Sequence, residues 1–90
     1  MARTLRESAF ETRAARDRLP AGRKHWRKTD VMGLHVGYRR GPRGGTWYGR
    51  RFVEGKYLET TFGLADDGAD ADGEAILSYR DAVTKAREWF

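Results

Sequence analysis

Between residues 34 and 64 the hydrophobic and polar positions alternate with a period of two. Leu34, Val36 and Tyr38 interleave with His35, Gly37 and Arg39, and Trp47, Gly49, Arg51 and Val53 interleave with Thr46, Tyr48, Arg50 and Phe52. Leu58, Thr60 and Phe62 then interleave with Tyr57, Glu59 and Thr61. Successive side chains of a strand point to opposite faces, and Val, Thr, Tyr, Trp and Phe favour a pleated backbone. The pattern predicts three strands over residues 34–39, 46–53 and 57–62, joined as an antiparallel meander. Residues 40–45, with three glycines and a proline, suit a longer hairpin loop, while Glu54-Gly55-Lys56 suits a tight reversal. The face bearing Leu34, Val36, Trp47, Leu58 and Phe62 is the more apolar and is expected to form the core, with Gly49 beside Trp47 admitting a close helix. Arg51 and Phe52 break the pattern, a charge inward and an aromatic outward, and a bulge or strand end there would resolve them.

Helical spacing appears on either side. Ser78 is an N-cap with Asp81 three residues on, as in a capping box, and Tyr79, Ala82, Val83, Ala86 and Phe90 recur on one stripe. This helix is expected to cover the apolar face of the sheet. It runs to Trp89-Phe90 without a terminating glycine or proline, which reads as a module of a longer protein. Residues 4–19 are rich in Ala, Leu, Arg and Glu, but Leu5, Ala9, Phe10, Ala14, Ala15 and Leu19 form a weak stripe. They suit either a docked helix or a basic arm ending near Pro20. Arg23 to Lys28 form a basic cluster around Trp26, which either pins the connection to the core or rests its indole on a nucleotide. The expected fold is α+β, a three-stranded antiparallel sheet packed against one C-terminal helix. Residues 1–30 are a basic helical or arm segment and residues 31–90 the domain proper.

Ninety residues suffice for one small core and leave no room for a large catalytic cleft beside a binding module. The chain has no cysteine, so disulfides and thiolate metal sites are excluded. No apolar run approaches the roughly 20 residues of a membrane span, and the N-terminus lacks the apolar centre of a secretory signal. A soluble, cytoplasmic, monomeric domain is expected. The net charge of +5 conceals a division: residues 1–56 carry fifteen Lys or Arg against five Asp or Glu, and residues 57–90 three against eight. The basic part is where a polyanion would bind. His25 and His35 have no cysteine or clustered carboxylate nearby, and the acidic stretch at residues 65–74 fails as a calcium loop. There Gly68 would be the first ligand and Tyr79 the twelfth. No metal or cofactor is expected, and the acidic stretch reads as a solvated loop before the last helix.

The outward face of the sheet then presents His35, Arg39, Tyr48, Arg50, Tyr57, Glu59 and Thr61. A β-ribbon fits the major groove of a duplex, where arginine pairs with guanine and threonine or tyrosine meets phosphates or thymine methyls. On this reading Arg39, Tyr48 and Arg50 meet base edges, Arg40, Arg43 and Lys56 meet phosphates, and His35 and Thr61 complete the surface. Two other functions share the same composition. An RNA or single-strand binder would stack bases on Tyr48 or Tyr57, and a protein-interaction module would use the acidic and basic halves.

Several motifs carry a family resemblance: Gly33-Leu34-His35-Val36-Gly37-Tyr38-Arg39-Arg40-Gly41, then Gly45-Thr46-Trp47-Tyr48-Gly49-Arg50, then Phe62-Gly63-Leu64-Ala65-Asp66-Asp67 with Ala69-Asp70-Ala71-Asp72-Gly73. Over residues 12–90 the chain resembles the N-terminal arm-binding domain of the tyrosine-family site-specific integrases of phages and integrative elements, in particular a proteobacterial group. The resemblance implies a three-stranded sheet on one C-terminal helix, similar to the DNA-binding domain of plant ethylene-response factors. It also implies that the sheet enters the major groove of double-stranded arm-type sites, while other domains and subunits of the integrase cut and rejoin DNA. By position Arg39, Tyr48, Arg50, Glu59 and Thr61 fall on the groove-facing surface. Glu59 is acidic where the plant domains tend to be basic, and the first hairpin differs in length. The family's tyrosine nucleophile with its Arg and His partners belongs to a later domain, so this chain is expected to bind DNA without catalysing recombination.

Overall fold

The computed structural model describes residues 10–42 and 44–90. Within them, α1 (Arg13–Asp17) precedes β1 (Lys24–Lys28), β2 (Leu34–Gly41), β3 (Gly44–Val53), β4 (Lys56–Ala65), β5 (Ile76–Leu77) and α2 (Tyr79–Trp89). The strands form one sheet in the order β1-β2-β3-β4-β5, antiparallel except for the parallel β4–β5 pair. The fold is α+β with a C-terminal helix, as expected, but its sheet is five-stranded and mixed rather than a three-stranded meander.

The two additional strands have separate causes. In β1 the inward positions are His25 and Arg27, so no apolar alternation marks it as a strand. Pairing with β2 and polar partners hold it instead. His25 is buried and its Nε2 donates to Pro20 O at 3.0 Å, while Arg27 lies 3.3 Å from Glu11. The segment expected to be an arm thus contributes an edge strand. β5 is only two residues long, and Leu77 is its buried side chain.

The central strands follow the period-two reading. Leu34, Val36, Tyr38 and Trp47 are fully buried on the inner face, with Leu77, Ala82 and Ala86 from the following elements. Leu58 shares that face but lies near the hairpin end, where it is 43% exposed. Trp47 Nε1 donates to Leu77 O at 2.8 Å, satisfying the polar atom of the largest core side chain. Phe10 enters the core beside Tyr38, Trp47 and Tyr79, with ring centroids 5.6–6.1 Å apart. The N-terminal helix is shorter than expected, because Phe10 is drawn into this aromatic cluster and Thr12 caps α1 through a bond from Ala15 N at 3.1 Å. Residues 4–9 of the expected helix lie outside the described residues.

The irregularity expected at Arg51 and Phe52 occurs elsewhere. Trp47 opposes Gly63 and Tyr48 opposes Thr61, which makes Phe62 the extra residue of a bulge. Its ring fills the space over Gly49, where a Cβ would collide with it, and packs edge-on against Trp89 at 6.0 Å. Gly49 therefore makes room for Phe62 rather than for helix backbone. Arg51 does point inward, and its Nη1 donates to the carbonyls of Trp89 and Phe90 at 2.9 and 3.0 Å. A cation there complements the negative end of the helix dipole.

The first hairpin is tighter than expected: the ladder continues to Gly41 opposite Gly44. The second is the tight reversal expected, with Glu54 and Gly55 both at positive φ, 50° and 81°, between Val53 and Lys56. At the start of α2 the capping box is complete, Asp81 N donating to Ser78 Oγ and Ser78 N to Asp81 Oδ2, each at 3.1 Å. The preceding loop is ordered by Asp72, whose Oδ1 accepts from the backbone N–H groups of Glu74, Ala75 and Ile76 at 2.8–3.0 Å. These bonds, that from Ile76 foremost, hold the Asp72 carboxyl below the usual aspartate range.

Candidate nucleic-acid interface

Because α2, Phe10 and Phe62 cover the inner side, the outer side of the sheet is left open by the described residues. Register places Lys24, Trp26 and Lys28 of β1 beside Arg39, Gly37 and His35 of β2. Arg39 opposes Thr46, Gly37 opposes Tyr48 and His35 opposes Arg50, while Tyr48, Arg50 and Phe52 of β3 oppose Thr61, Glu59 and Tyr57 of β4. Thus Arg39, Tyr48, Arg50, Thr61 and His35 of the sequence-derived set lie on one surface.

Trp26 is the residue whose role changes most. It does not pin a connection to the core. It lies across Gly37 on the outer face, so close that a Cβ at Gly37 would stand 2.6 Å from the indole. The Arg50 guanidinium lies 4.5 Å from the Trp26 ring and 4.4 Å from the Tyr57 ring, a cation held between two aromatics on strands either side of it. Its Nε is buried without a hydrogen-bond partner, and no ion pair engages it among the described residues. Lys24 Nζ lies 4.4 Å from the Tyr48 ring and 2.8 Å from Glu59 Oε1, having crossed the sheet from the edge strand. Glu59 is the one carboxylate on this face among the described residues, and it is already neutralised.

The remaining sequence-derived residues sit elsewhere. Arg40 points to the opposite side from Arg39, donates to Leu19 O at 2.6 Å and lies 3.7 Å from Asp17, so it ties down the segment between α1 and β1. Lys56 is exposed at the second hairpin, but its register partner is Val53, on the inward-facing set of positions. Arg43 lies outside the described residues. Sequence reasoning missed Lys24, Trp26 and Lys28 as one surface. Their spacing of two was a signal, hidden by the polar residues between them.

The acidic stretch is drawn away from this face. Arg16, 1% exposed, donates through Nε to Asp67 Oδ1 at 2.7 Å and through Nη2 to Asp66, while its Nη1 bonds to Phe10 O at 3.0 Å. Arg13 reaches Asp70 at 3.0 Å. Tyr38 Oη donates to Asp67 Oδ2 at 2.6 Å, and burial first, then this bond, push the phenol far above its ordinary range. Two aspartates expected to be solvated are thus counter-ions of a buried arginine, and the outer face is left predominantly cationic. No helix among the described residues is long and apolar enough to cross a membrane. Compared with protein-family models, with curated proteins and with solved structures, the chain matches none of them.

Proposed function

We propose that this chain is a non-catalytic, sequence-selective binder of duplex DNA that sets the outer face of its sheet into the major groove, the role that arm-binding domains play in the tyrosine-type integrases its motifs resemble. The observation that carries the reading is Arg50, a guanidinium fixed between Trp26 and Tyr57 without an ion-pair partner among the described residues, at the centre of an open cationic sheet face. Its planar fork matches the two acceptors of a guanine edge, and a side chain already held by two rings loses little freedom on binding. Arg39, exposed on the same surface, is a second base-edge candidate, and Lys24 and Lys28 on the edge strand suit phosphates.

The arrangement of the rings supports duplex over single-strand recognition. Trp26 and Tyr57 share Arg50, and Tyr48 carries Lys24, so the rings on which single-stranded bases would stack are already engaged by cations. The test is an NMR titration of the labelled chain with short duplexes bearing candidate repeats from an integrative element's ends, with scrambled duplex and single strand as controls. Shifts concentrated at Arg39, Tyr48, Arg50 and Thr61, larger for one duplex than for its scramble, are expected. Arg50→Ala should cost about 1–3 kcal/mol at its preferred base pair. Selectivity unchanged by Arg50→Ala would show that the wrong face had been chosen, and shifts equal for all nucleic acids would remove sequence selectivity.

A further inference from the structure

Glu59 is an anomaly on a surface that meets a polyanion. It stands directly opposite Arg50 in the ladder, where a salt bridge between the two would be ordinary, yet its carboxylate is held by Lys24 from three strands away while Arg50 turns to Trp26 and Tyr57. Directly opposed residues of an antiparallel pair have Cβ atoms about 4.5–5.5 Å apart. Two readers at that separation can reach bases within one base-pair step, stacked about 3.4 Å apart along a strand. In the major groove guanine offers two acceptors, which suit arginine, and cytosine offers an amino donor, which suits a carboxylate.

Building on the duplex reading above, we infer that Glu59 is a specificity-determining residue that accepts a hydrogen bond from a cytosine amino group next to the guanine read by Arg50, and that Lys24 holds it ready in the free protein. The Lys24–Glu59 pair is about as exposed as a surface ion pair, 36% and 44% for the two side chains, and such pairs are weak in water. A base edge therefore displaces the lysine, which swings to a neighbouring phosphate. Glu59 also repels: at any site without a donor in that position its charge meets base acceptors and phosphates, so it lowers affinity for wrong sequences as well as raising it for the right one.

The test is selection of bound duplexes from a randomised pool with the 90-residue chain, its Glu59→Gln and Glu59→Ala variants and Lys24→Ala, each confirmed as folded by circular dichroism. The unmodified chain should enrich a motif containing a guanine with a cytosine in the same or adjoining step. Glu59→Gln should shift the cytosine position toward adenine, which an amide reads bidentately, and Glu59→Ala should leave that position unselected, with discrimination there falling roughly tenfold or more while the guanine persists. Both should bind scrambled duplex more tightly than the unmodified chain, an effect that a merely structural glutamate would not produce. Lys24→Ala should keep the motif, weaken all sequences and reduce the salt slope by about one unit. An identical motif in both Glu59 variants would overturn the assignment and leave duplex readout standing. Loss of the cytosine preference in Lys24→Ala would overturn the release of Glu59 to the base. Absence of any enriched motif with the unmodified chain would remove the duplex reading itself, and this inference with it.

Discussion

Replacing Arg16 by Met should destabilise the protein more than any change on the outer face. The arginine is 1% exposed and packs against the Tyr38 and Trp47 rings, with its charge on Asp66 and Asp67. Met retains much of the apolar stem but leaves the two carboxylates, 15% and 21% exposed, without their main counter-ion. Breaking a buried ion pair by removing one partner costs about 3–5 kcal/mol. Arg13, 3.9 Å from Asp66, and the residual water at both carboxylates place the expected loss near the lower end, about 3 kcal/mol. A domain of this size has a total stability of roughly 5–13 kcal/mol, so a quarter or more of it would go. The melting temperature should fall by about 12–24 °C. Urea unfolding followed by tryptophan fluorescence and circular dichroism measures the loss directly. Adding Asp66→Asn and Asp67→Asn to Arg16→Met should recover part of it, because the unpaired charge is then gone. A loss below about 1 kcal/mol, or no recovery in the triple variant, would refute the view that the buried charge pairing holds α1 and the acidic loop together.

Other positions make separate tests. Gly45→Ala would drive a methyl into the buried Tyr38 ring, whose hydroxyl is fixed on Asp67, and should cost about 1–3 kcal/mol in urea unfolding; a neutral result would mean that the ring moves freely. Glu54→Asn should stabilise by about 1 kcal/mol, since Glu54 holds a positive φ beside Gly55 and Asn-Gly is the preferred pair for such a turn; a lowered urea midpoint would contradict the turn geometry. The Asp72 carboxyl titrates lower when folded than when unfolded, so its contribution is fully present above the unfolded value near pH ~4 and is lost as the pH falls through the folded value. Asp72→Asn should therefore flatten the fall in stability with acid, and identical acid profiles for the two proteins would show that its backbone bonds carry no such effect.

Much of the centre of the fold was legible in the chain itself. The alternation of Leu34, Val36, Tyr38 and Trp47 with polar residues assigned the inner face of two strands, because a one-residue slip would expose the whole set. Glu54-Gly55 and the Ser78/Asp81 box marked a turn and a helix start through groups only a few residues apart, so local chemistry sufficed. Arg39, Tyr48, Arg50 and Thr61 were placed on one face by the same parity.

What only the tertiary structure decided depends on partners far along the chain. Residues 24–28 have no apolar alternation, and they became a strand because β2 offered an edge and Pro20 and Glu11 met their inward polar groups. That pairing turned Trp26 outward onto Gly37 and brought Lys24 across to Glu59. Arg16 reads as one more cation of a basic segment until Asp66 and Asp67, fifty residues on, make its burial possible. Arg51 similarly looked misplaced until the end of α2 arrived above it. Period and propensity belong to neighbouring residues, whereas the fate of a charge is set by the counter-charge, ring or carbonyl that folding brings to it.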